Sequence, residues 1–74
     1  MMGRVFWIKF YEDGVFCSAI GQPYGSIDEA MLALVTHAFN FRSLGFDVNS
    51  VDDHTLTYDR FGTLCTLKIE EDNQ

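Results

Sequence analysis

The chain is 74 residues long, with 5 basic and 11 acidic side chains, a net charge of −6, and hydrophobic and aromatic fractions of 47% and 15%. One α+β domain over residues 1–74 fits this length and two do not, and the apolar content excludes a disordered chain. The acidic balance argues against direct nucleic-acid binding and against anionic membrane surfaces, both of which need Lys and Arg, and no apolar run approaches the roughly 20 residues of a membrane span.

In chain order, residues 4–11 (RVFWIKFY) are aromatic and β-branched and read as a strand. Lys9 breaks the apolar run early and no small-residue cleavage site follows, so residues 1–8 are not expected to be a secretory leader. Glu12-Asp13-Gly14 is a hairpin signal, because Gly supplies a positive φ, and residues 15–20 return as a second strand. Gly21-Gln22-Pro23-Tyr24-Gly25 reads as a loop. Ser26-Ile27-Asp28-Glu29 then forms a capping box, in which Asp28 and Glu29 also complement the helix dipole. The predicted helix runs to Leu44 and stops at Gly45, with Arg42 suited to its last turn. Residues 46–50 are a connector with some strand character, 54–58 a third strand, Asp59-Arg60-Phe61-Gly62 a turn, 63–69 a fourth strand, and 70–74 a polar tail.

Hairpin, helix, hairpin is a ββαββ order. Together with the last hairpin, Tyr58 to Thr63, it resembles the immunoglobulin-binding domains of streptococcal protein G type. The resemblance implies a β-grasp-like fold: a four-stranded sheet in the order 2-1-4-3, first and last strands parallel at its centre, and one helix packed on one face. The alternative is a fully antiparallel ββαββ sheet.

Catalytic signatures are lacking. There is no Walker loop and no GxGxxG, and the 21–26 loop lacks a Lys while Pro23 removes an N–H. Cys17, Cys65, His37 and His54 include no close ligand pair of the kind zinc sites use, so neither metal nor cofactor is expected. Two cysteines are too few for a disulfide scaffold, which favours free thiols and a cytoplasmic setting.

Two kinds of surface remain. The first is acidic: residues 44–74 carry a net charge of −5 against −1 for residues 1–43. With the first and last strands parallel, Glu12, Asp13, Asp52, Asp53, Glu70, Glu71 and Asp72 would gather at one end, with Lys68 the only nearby cation. The second is apolar. Phe6, Ile8 and Phe10 alternate with Val5, Trp7 and Tyr11, so a helix covering one sheet face leaves Trp7 and Tyr11 on the other, beside Leu64 and Thr66. On the helix, Ile27, Ala30, Met31, Leu34, Ala38 and Phe41 form the core stripe. Leu32, Val35 and Phe39 widen the apolar arc beyond what a sheet needs: either residues 46–51 fold over Leu32 and Phe39, or this flank binds a partner or a second copy. Phe61 adds an aromatic ring at a turn.

The expected function is that of a non-enzymatic protein-binding module that meets a basic partner surface through the acidic end and the apolar residues Trp7, Tyr11, Leu32, Phe39 and Phe61. In size and charge the chain is similar to the small inhibitors of phages and mobile elements, including anti-CRISPR and DNA-mimic proteins. The alternative is a structural or assembly subunit acting as a homo-oligomer, with a homodimer the simplest form.

Overall fold

The computed structural model describes residues 3–73. The elements run β1 (Arg4–Glu12), β2 (Val15–Tyr24), α1 (Ile27–Ser43), β3 (Asp47–Val51), β4 (Thr55–Arg60) and β5 (Thr63–Asn73). They form one five-stranded sheet in the order β2-β1-β5-β4-β3, with every neighbouring pair antiparallel.

The helix ends where its local chemistry says it should. Ser26 Oγ accepts from the Glu29 N–H at 3.2 Å, satisfying one of the free donors of the first turn. At the other end Phe46 N–H donates to Phe41 O at 2.9 Å, Gly45 N–H donates to Arg42 O at 3.1 Å, and Gly45 sits at φ +92°. This is a Schellman closure, sealed by the edge-to-face packing of Phe41 on Phe46 at 6.1 Å.

One face of the sheet packs on α1. Ile8, Leu56, Tyr58, Cys65, Leu67 and Ile69 are buried against Ala30, Leu34 and Ala38, with Phe6, Phe10, Phe41 and Val48 around them. The period-two alternation of β1 and β5 puts Ile8 opposite Ile69 and Phe10 opposite Leu67 at the centre. Phe41 stacks on Tyr58 with ring centroids 4.1 Å apart.

Two of the three hairpin loops have two residues at positive φ, the geometry whose twist matches that of the strands. These are Asp13 and Gly14 between β1 and β2, and Phe61 and Gly62 between β4 and β5.

The expected number of strands and the direction of the last one are both corrected. The four predicted strands keep their neighbours, but a fifth strand lies at the edge, and β1 and β5 run antiparallel rather than parallel. The two changes have one cause. Residues 46–50 read as a connector with some strand character, but Asp47–Val51 pair with β4, and the chain reverses through a tight turn held by Asp52. Asp52 Oδ1 accepts from the N–H groups of His54 at 2.9 Å and Thr55 at 2.8 Å. One added strand inverts the direction of every later strand, so the parallel β-grasp pairing is lost. The polar tail is also part of the sheet: β5 continues through Asn73 alongside β1, and of the predicted tail only Gln74 lies outside the described residues.

Candidate functional site

The antiparallel register divides the seven carboxylates expected at one end. Glu12 pairs with Cys65 at the start of β5, whereas Glu70, Glu71 and Asp72 lie beside Trp7, Phe6 and Val5 at its far end. Asp52 and Asp53 occupy the β3–β4 turn, where the His54 carbonyl accepts from the Ile69 N–H at 2.9 Å. Five of the seven also have work within the fold. Asp13 Oδ1 accepts from the Leu64 N–H at 3.3 Å, and Asp52 closes its turn. Glu71 meets Arg4 at 3.4 Å, while Lys9 lies 3.6 Å from Glu70 and 3.8 Å from Asp72. Lys68 is therefore not the only cation near these carboxylates.

The sheet face away from α1 carries Trp7, Lys9 and Tyr11, all half-buried, together with Leu64, Thr66 and Lys68. Tyr11 donates its hydroxyl to Glu70, and Lys68 Nζ stands 5.3 Å from the centre of the Tyr11 ring. The hydrogen bond to Glu70 raises the Tyr11 pKa above 10.0, aided by burial and the Glu70 charge. The same bond holds the Glu70 carboxyl below 4.5 against a smaller opposing effect of burial, and Lys9 lowers it further. Phe16 packs edge-on against Tyr11 at 5.6 Å. Tyr11 is thus engaged in charge and aromatic contacts within this face, while Trp7 lies half-buried opposite Glu70.

The outward side of α1 differs. Leu32 is 69% exposed and Phe39 65%, and Val35 between them is also exposed. The segment that could fold over them lies in the sheet instead, as β3. Asp28, Leu32, Val35, Phe39 and Arg42 follow one another in steps of four, three, four and three, and all five are exposed. That spacing places them in one exposed row along the helix, about a third of a turn round from the buried row of Ala30, Leu34 and Ala38. The sequence shows the width of this arc, but Asp28 and Arg42 read there only as partners of the helix dipole. Their alternating spacing with the three apolar residues was the available signal.

Beside this row a shallow groove of about 490 Å³ is lined by Tyr24, Glu29, Leu32, Ala33, Thr36 and His37. His37 stacks on Phe41 at 6.1 Å, and burial lowers its pKa below 6.5. Phe61, at the β4–β5 turn, is 92% exposed and meets Phe46 edge-on at 6.0 Å.

The reactive side chains are held apart. Both cysteines are free: Cys17 is exposed on β2 and Cys65 buried on β5, with β1 between those strands. Burial pushes the Cys65 thiol above 9.0, opposite to the shift an activated thiolate needs. Tyr58, beside it, is pushed up to about 12, first by burial and then by Cys65. Among the described residues no three His, Cys, Asp or Glu side chains gather as a metal site, and no helix is long and apolar enough to cross a membrane. No protein-family profile, curated protein or solved structure matches the chain.

Proposed function

We propose that this chain is a non-enzymatic protein-binding module whose contact surface is the outward face of α1. One observation carries the reading: Leu32, Val35 and Phe39 form an apolar row on the side of the only described helix that faces away from its own core. A small domain has little apolar material to spare, and large side chains in an exposed row mark a place for a partner. The raised Cys65 pKa and the separation of the cysteines favour binding over nucleophilic chemistry. An acidic inhibitor that occludes a basic surface draws on the net charge of −6 alone, since its carboxylates are divided between two ends and most are engaged within the fold.

The test is a photo-crosslinking amino acid placed at position 39 and, as a control, at the exposed Gln22 of β2. In cells of the source organism, position 39 is expected to trap a protein, this chain or another, that position 22 does not. No protein trapped from position 39 would refute the reading.

A further inference from the structure

We infer that the outward face of α1 is covered by a second copy of this chain, the two helices antiparallel about a two-fold axis at Val35. The inference rests on reading that face as a contact surface, and it names the occupant. The steps of four and three from Asp28 to Arg42 are those of a coiled-coil seam. The seam is apolar at its three central positions, acidic at its N-terminal end and basic at its C-terminal end. Asp28 and Arg42 lie seven residues to either side of Val35.

In antiparallel packing, Asp28 therefore meets Arg42 of the second copy and Arg42 meets its Asp28. Leu32 packs on Phe39 of the second copy, and Val35 packs on Val35. Parallel packing would set Asp28 against Asp28 and Arg42 against Arg42, so charge selects the antiparallel pair.

The centre of the seam permits close approach. Val35 and Thr36 are small enough for helix axes to come within the usual 8–10 Å. Thr36 already donates its hydroxyl to Leu32 O at 2.9 Å, so burying it removes no donor from water. Phe39 of the second copy arrives beside the groove that Leu32 and Ala33 help to line. The contact is isologous and closes at two copies. A single helix face buries less than about 1,200 Å², which makes the dimer weak and dependent on concentration.

Sedimentation equilibrium of the purified chain tests this. Wild type is expected to show a monomer–dimer equilibrium below about 1 mM, and Phe39→Asp to remain a monomer over the same range. Asp28→Arg and Arg42→Asp each place like charges at both ends of the seam, and each alone should weaken self-association about tenfold. Mixed together they restore opposite charges at both ends and should form a heterodimer of near wild-type affinity. Far-UV circular dichroism of each variant verifies that the helix is intact. A wild type monomeric at about 1 mM, a dimer indifferent to Phe39→Asp, or variants that associate no better mixed than apart would each overturn the inference. If the chain stays monomeric while position 39 traps another protein, the occupant is wrong and the contact-surface reading stands. If position 39 traps nothing, that reading fails.

Discussion

Asp28 and Arg42 stand at opposite ends of the same outward row of α1, each seven residues from Val35. In the single chain each has a local role, the acid against the positive end of the helix dipole and the base against the negative end. That same polarity makes the row complementary to an antiparallel copy of itself.

The two sides of α1 should respond differently to truncation. Leu34 is fully buried and Leu32, two residues away, is exposed. Leu34→Ala should cost about 2–5 kcal/mol in urea denaturation, and Leu32→Ala within about 0.5 kcal/mol in dilute solution. Similar losses at the two positions would mean that Leu32 is covered within its own chain.

Much of this packing was legible in the sequence. Alternation in β1 identified Phe6, Ile8 and Phe10 as the core face, and Ser26 and Gly45 bracketed the helix. The edge strand β3 was not, because Asp47–Val51 has only two β-branched residues among polar ones, and its pairing depends on a turn that the Asp52 side chain closes. That single omission carried the direction of β5 with it, and therefore the position of the acidic residues. Leu32 and Phe39 were legible as candidate contact residues, but whether residues 46–51 cover them was not, and the structure uses those residues at the sheet edge instead.

The β4–β5 turn holds Phe61 at φ +51°, a left-handed conformation that bulky L-residues seldom adopt and Asn tolerates. Phe61→Asn should raise folding stability by about 0.5–1 kcal/mol, less what is lost from the edge contact with Phe46. Thermal denaturation checks this, and a clear loss of stability would show that the ring contact outweighs the backbone cost.

The thiols should separate by access. Cys17 is expected to react at once with a thiol reagent in the native protein, and Cys65 only as the chain unfolds, because it is buried and its thiolate disfavoured. Two equally fast thiols in native buffer would contradict the placement of Cys65.

The Tyr11–Glu70 hydrogen bond sets a pH window. Glu70 has a depressed pKa, so its contribution is present above 4.5 and lost as pH falls through the folded value. Tyr11 has a raised pKa, so its contribution is complete below 10.0 and lost as pH rises through its folded value. Stability of Tyr11→Phe should consequently depend less on pH at both the acid and alkaline limits, as measured by urea denaturation across the range. A pH profile parallel to wild type at both limits would exclude the bond as a source of stability.

The most direct measurement is the melting temperature of wild type and Phe39→Asp over a hundredfold range of protein concentration. A folded dimer gains stability by mass action, so the wild-type melting temperature should rise with concentration. That of Phe39→Asp should not change, and at the lowest concentration the two should melt within a few degrees of each other. A Phe39→Asp protein that melts far below wild type at every concentration would place Phe39 in its own core, and a wild type indifferent to concentration would leave the outward face of α1 without its second copy.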